Sequence, residues 1–423
     1  MDDASEGSGA TMTARHFPII AALVLTFFLF AVLLNSVGPV ILQSIISFAV
    51  PKTQAALLEG FKDLSIAGAS FAVSLFLPMT GYRRGTALSL LAVAAACAAA
   101  PAIGTFHALQ LQFAIVGMAF AIAKTSIYVI VGLVTSDRKA HASATSTLEG
   151  IFMAGVLSSF WLFGAFIDRR NPAALSWLNV YWWLAGAALL IAVLLAVAPL
   201  DERRASSDAT RPADLLLAMP RLVPVPFVIA FLVSAFLDVL VEQSLGSWLP
   251  TFNREVLNLP PTLAVQLASF YAGSLAIGRL GAGLILRRVA WVWVLGTGLC
   301  LAVLLLGLVV PMTGSVSLAS AATWRDLPVV AFAIPLVGLL LAPIYPVLCS
   351  AVLSGLPPSR HAAMTGLILI SSALGGTLGS FITGRLFAAL SGKIAFLAIL
   401  PSMVALLVGV VAFHFILRRA PAP

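Results

Sequence analysis

Apolar residues run along this chain in twelve blocks, over 17–41, 54–79, 86–106, 108–135, 143–167, 178–198, 222–250, 262–286, 290–310, 328–354, 362–388 and 394–417. At about 1.5 Å per helical residue each is long enough to cross a hydrocarbon core of about 30 Å. Short polar segments separate most of them. One interruption is long: Pro199 to Arg221 carries Asp201, Glu202, Arg203, Arg204, Asp208, Arg211 and Asp214 among Ser and Pro. Such a composition cannot bury itself and belongs in water. The pattern predicts an all-α polytopic membrane protein of twelve transmembrane helices in two six-helix bundles. Its parts are a tail (1–16), a bundle (17–198), a linker (199–221), a second bundle (222–417) and a short tail (418–423).

Composition agrees and adds orientation. Of 423 residues, 61% are hydrophobic and only 9% charged, which excludes an ordinary soluble domain. The net charge of +8 therefore reads as a topology signal at a lipid bilayer, not as a nucleic-acid surface. With both termini on one side, that side holds fourteen Lys and Arg in its loops and the other holds six, which places the termini and the linker in the cytoplasm. The first block is long and lacks an Ala-x-Ala cleavage signal, so it reads as an uncleaved span. Cys97, Cys300 and Cys349 all fall inside apolar blocks, with no disulfide framework or metal-ligand spacing.

The two halves repeat one another. Ile127-Tyr128 matches Ile344-Tyr345, and His141-Ala142 and Thr145 match His361-Ala362 and Thr365, each with a basic residue just before (Lys139, Arg360). Paired arginines follow the second block (Arg83, Arg84) and the eighth (Arg287, Arg288). Duplicated bundles are a common plan for transporters.

Six blocks plus six, a charged central linker, and Gly81-Tyr82-Arg83-Arg84 between the second and third blocks resemble the major facilitator superfamily over nearly the whole chain. The resemblance implies two bundles around a central cavity, working by alternating access. The family's aspartate three residues before that glycine is replaced here by Pro78. Glu242-Gln243-Ser244-Leu245-Gly246-Ser247-Trp248-Leu249-Pro250, Gly278-Arg279-Leu280 and Ala342-Pro343-Ile344-Tyr345-Pro346 are similar to the fucose permease and related sugar/proton symporters. That group's first-span acid would fall near Asn35-Ser36-Val37-Gly38, where no carboxylate stands, and its fourth-span acid falls at Lys124.

An ionisable residue inside a span costs roughly 2.5–3.5 kcal/mol, so each needs a partner, water or a task. Asp238 and Glu242 stack at i, i+4 in the seventh span, and two carboxylates in a low-dielectric setting suit proton coupling. Asp63 and Glu149 are further proton-coupling candidates. Glu59 and Lys62, at i, i+3 near the outer end of the second span, read as an ion pair at the headgroups. Arg279, only two turns from Arg287, and Arg385, near the outer end of its span, read as structural anchors. Lys124 is the deepest basic residue: either it reaches Glu149 on the next span as a structural pair, or it faces the cavity and contacts substrate. Asn35, Gln43, Tyr128, Gln243, Trp248, Tyr271 and Tyr345 supply the amides and rings that suit a polyol, although Trp248 also fits an interfacial aromatic belt.

Ser371, Gly375 and Gly379 recur every fourth residue on the eleventh span, and Gly273, Gly278, Gly281 and Gly283 crowd the eighth, so close helix approach is expected at both. Pro343 and Pro346 are expected to kink the tenth. No phosphate-binding GxxxxGK[ST] is present to use ATP, and the five histidines are scattered over termini and loops, so an enzyme or a metal site is not expected. The fifth span lacks the Gly-x-x-x-Gly-Pro pattern of drug/proton antiporters. The sequence reads as a monomeric, cofactor-free secondary transporter of a bacterial-type inner membrane, importing a sugar or other small polar solute with protons. The alternative is an organic anion or metabolite, prompted by Lys124, or export of small molecules.

Overall fold

A computed structural model describes residues 7–135, 138–198, 218–313, 323–327 and 329–419. Most of the predicted linker and the outermost tail residues lie outside these. Among the described residues every regular element is a helix.

The N-terminal half holds Gly7–Asn35 continuing as Val37–Ser47, then Leu57–Thr80, Tyr82–Ile103, Phe106–Val134, Arg138–Phe166 and Val180–Val197. The C-terminal half holds Pro226–Gly246 with Leu249–Glu255, then Pro261–Ile285, Trp291–Met312, a broken tenth span, His361–Ala389, and Gly392–Leu397 leading into Leu400–Arg419. Among the described residues, eleven helical segments are long and apolar enough to cross a membrane. The 24-residue helix Leu57–Thr80 packs among them as the remaining member of the twelve.

Breaks in the spans have local causes. Pro39 offers no N–H and crowds the preceding turn, so the first span breaks at Ser36. The break is sealed by side chains: Asn35 Nδ2 donates to the Ala31 carbonyl (2.9 Å) and Ser36 Oγ to that of Leu33 (2.7 Å). The tenth span runs as Val329–Ala333, Val337–Leu341 and Ile344–Ser354, interrupted at Pro335 and Pro343. Pro343 therefore breaks the helix as its chemistry predicts, and Pro335 adds a second break.

Each half uses the same two backbone-to-backbone contacts, in equivalent places. In the seventh and eleventh spans, Ser371 Oγ donates to the Leu232 carbonyl (2.7 Å), and a Cβ at Gly375 or Gly379 would strike the Phe236 or Leu240 carbonyl. Their counterparts are the first and fifth spans, where Gly155 meets Phe28 and Ala31. The second and fourth meet at Gly117 against the Lys62 carbonyl, and the eighth and tenth at Gly278 against Leu339 and Ala342. This equivalence is the structural form of the repeat in the sequence. The expected glycine seam of the eighth span narrows to Gly278, because Gly281 and Gly283 face open space.

The halves meet along two seams. The second span lies on the eleventh and the fifth on the eighth. On the second seam Trp161 Nε1 donates to Ser269 Oγ (3.1 Å) and stacks on Trp324 at 5.7 Å.

Candidate functional site

A cavity of about 220 Å³ opens between the halves at mid-depth. The N-terminal half contributes Leu34 and Asn35 from the first span, Lys62, Asp63 and Ile66 from the second, and Phe152, Met153 and Val156 from the fifth. The C-terminal half contributes Glu242 from the seventh and Ala272, Leu275 and Arg279 from the eighth. A smaller extension of about 50 Å³ reaches Gln243, Gly246, Ser247 and Tyr271. Helical spacing explains the lining: Ala272, Leu275 and Arg279 fall at i, i+3 and i+7, on one face.

Charge in the cavity is arranged unevenly. Lys62 is well served: its ammonium pairs with Glu59 one turn earlier and lies 3.4 Å from Asp63 Oδ1. Glu59, 0% exposed, also accepts from Ser247 Oγ of the opposite half at 2.7 Å. Arg279 is poorly served. Its Nη2 stands 3.7 Å from Glu242 Oε1, its Nη1 3.8 Å from the Met153 sulfur, and its buried Nε has no acceptor. Asp238 lies one turn before Glu242, 2% exposed, with no hydrogen-bond partner for Oδ2.

Away from the termini the cleft is closed. Beyond the Ser247–Glu59 bond, Ser380 Oγ donates to the Ala56 carbonyl (3.4 Å), and Lys52 pairs with Glu255 at 2.7 Å. Gly38 fits against the Gly246 and Ser247 carbonyls so tightly that a Cβ there would lie 3.1 Å from the latter.

Toward the termini stand Tyr128, Glu149 and Lys124. Counted from Val134 and Arg138, the observed helix ends, Lys124 lies about 15 Å and Glu149 about 17 Å deep. They are not paired. The Tyr128 hydroxyl donates to Glu149, while Lys124 is exposed, 5.7 Å over the Phe120 ring, with no carboxylate of the described residues within 4.0 Å. The pairing expected for Lys124 is thus replaced by one from Tyr128, one turn along the same helix. Phe120 lies 6.1 Å from Phe152 and so links this group to the cavity wall.

The structure thus gathers Asn35, Asp63 and Glu242 on the main cavity and Gln243 and Tyr271 on its extension. Other candidates point elsewhere. Gln43 is buried and donates to the Pro172 carbonyl (3.3 Å), and Tyr345 shares a hydrogen bond with Ser372 (3.1 Å). Trp248, 0% exposed, donates to Ser380 Oγ (3.1 Å) and stacks on Phe387, so it belongs neither to an interfacial belt nor to the cavity wall. Two readings need correction. Glu59 and Lys62 do pair, but between the halves and not among headgroups, because the eleventh span covers that face. Arg279 lines the cavity, and only Arg385 is left exposed near its span's outer end. The signal for Arg279 was its periodicity with Tyr271 and Leu275; depth from Arg287 alone concealed it.

No curated protein matches the chain in sequence. Solved structures match its fold. A bacterial homologue of the human lysosomal transporter Spinster, inward-facing and occupied, aligns at a TM-score of 0.73 with 17% identity over 96% of this chain and 97% of that one. A D-xylose-proton symporter aligns at 0.71 with 13% identity over 96% and 98%. The transporter FucP, in an outward conformation, aligns at 0.61 with 16% identity over 93% and 97%. The sequence profile of the Major Facilitator Superfamily matches residues 23–332, and with that match and this fold the chain belongs to the Major Facilitator Superfamily.

Proposed function

We propose that this transporter couples proton movement to the uptake of a small polar solute across a bacterial-type inner membrane, with both termini cytoplasmic. The observation that carries the reading is the cavity itself. Its walls come from both halves and hold Lys62 and Asp63 on one side and Glu242 and Arg279 on the other, so rocking the halves would expose the same charges alternately to each face. Charged groups at that depth are costly unless they serve a pathway. The cleft is sealed away from the termini, which corresponds to an inward-facing state if the basic loops are cytoplasmic.

Glu242 and Asp238 are the coupling groups in this reading. Glu242 faces the cavity and its only cationic partner among the described residues is 3.7 Å away; Asp238 is buried one turn earlier with an unpaired oxygen. Two of the structural relatives are proton symporters, of D-xylose and of fucose, which supports a proton as the second cargo. A sugar remains compatible with Asn35, Gln243 and Tyr271, but Gln43 and Trp248 are not on the wall to help bind it.

The test begins with a thermal-shift panel of sugars, nucleosides and organic acids on purified protein. Hits then go to uptake in proteoliposomes with and without a pH gradient. The expected result is accumulation that requires the gradient, with Glu242→Gln or Asp238→Asn losing accumulation but keeping counterflow exchange. Gradient-independent uptake, or accumulation by both variants, would refute the coupling.

A further inference from the structure

We infer that the solute carries a carboxylate gripped by Arg279, on an otherwise apolar body; this rests on the transporter reading and narrows its solute class.

A guanidinium offers five N–H donors in a planar fork that matches a carboxylate two bonds at a time. In this cavity the fork is nearly unused. Nε is buried without an acceptor, and the remaining contacts are a hydrogen bond from Nη1 to a thioether, a weak acceptor, at 3.8 Å and an ion pair with a carboxylate at 3.7 Å, beyond ordinary hydrogen-bond length. An unmet buried donor is a standing cost that a bound anion would remove. Lys62 does not compete for that anion, because Glu59 and Asp63 already occupy it.

The neighbours limit the head group further. Glu242 and Asp63 also face the cavity, so a singly charged head is tolerated where a phosphate dianion would be repelled. Beyond the head the cavity is lined by Phe152, Val156, Leu275 and Leu34, with Asn35 as its one uncharged polar side chain, which offers few partners to a ring of sugar hydroxyls but suits a short aliphatic or aromatic body in about 220 Å³. Lys124, with no carboxylate at hand, adds a second positive stop between the cavity and the face bearing the termini, joined to the cavity through the Phe120–Phe152 contact.

The experiment is isothermal titration of the purified full-length protein with butyrate, isovalerate, benzoate and phenylacetate, each beside its neutral primary amide and beside D-xylose. At least one acid should bind saturably, and its amide at least tenfold more weakly. Arg279→Gln should lose at least tenfold in affinity for the acid, and Arg279→Lys, which keeps the charge without the fork, should fall between. Should Arg279→Gln fail to fold, Arg279→Lys and the acid–amide pairs on the native protein decide the matter. The inference is overturned if none of the acids binds, if amides bind as tightly as acids, or if Arg279→Gln holds the acid like the native protein. Equal binding of D-xylose by native protein and Arg279→Gln, without acid binding, also overturns it, while leaving proton-coupled transport of a polar solute intact.

Discussion

Removing one hydroxyl should unlatch the closed end of this transporter. Ser247 Oγ donates to Glu59 Oε2 at 2.7 Å, and the two residues belong to different halves, so the bond exists only while that end is shut. Glu59 is 0% exposed, which leaves its carboxylate no water to replace the lost donor. A hydrogen bond to a buried charged group contributes about 1.5–3 kcal/mol. Ser247→Ala should therefore shift the closed-to-open equilibrium about 10- to 150-fold toward opening. The nearby Lys52–Glu255 ion pair makes a useful contrast. Its side chains are 22% and 33% exposed, and such pairs contribute about 0–1 kcal/mol, so Glu255→Gln should shift the same equilibrium less than about fivefold. Both are read by electron–electron distance distributions between spin labels at Asn171→Cys and Ala389→Cys, after the three native cysteines are replaced by serine. A Ser247→Ala distribution unchanged from the native one, or shifted less than that of Glu255→Gln, would refute the reasoning.

Two further outcomes are expected. In a double-mutant cycle on unfolding stability, Lys124→Met and Glu149→Gln should be additive within about 0.5 kcal/mol, whereas Tyr128→Phe and Glu149→Gln should couple by about 1 kcal/mol or more; the reverse ranking would restore a Lys124–Glu149 pair. In intact cells, a cysteine at Ser359 should be shielded from an impermeant thiol reagent and one at Asn171 should react, and labelling of Ser359 from outside would invert the proposed topology.

The fold was legible because a bilayer leaves the chain little choice. A span must satisfy its own backbone and reach across about 30 Å, so length and hydropathy nearly fix each helix. The eighth span was expected over 262–286 and forms Pro261–Ile285; the eleventh was expected over 362–388 and forms His361–Ala389. The breaks were less legible. Pro343 announced one, but the interruption at Ser36 comes with side-chain bonds from Asn35 and Ser36 to the Ala31 and Leu33 carbonyls of the preceding turn, which the sequence does not show. Close packing at Gly375 and Gly379 was readable from spacing, since small residues every fourth position make a smooth face. The same argument overreached at Gly281 and Gly283, because spacing says which residues share a face and not what that face meets.

That distinction also separates the site residues found from those missed. Asp63 and Glu242 stood out because a carboxylate in an apolar span is expensive wherever it points. Arg279 was equally expensive, yet distance along the chain suggested that it snorkelled toward Arg287. The deciding fact is tertiary. Arg279 faces Glu242 across two spans and Met153 across the interface between halves, and those neighbours come from parts of the chain 37 and 126 residues away. Glu59 and Lys62 show the complementary case. Their pairing is local and was correct, while their burial is imposed by Ser247 and the eleventh span. Moving such a charge from a wet headgroup layer to a dry seam raises what one hydroxyl contributes from near nothing to a kilocalorie or more, which is why the latch is invisible in the sequence and decisive in the structure.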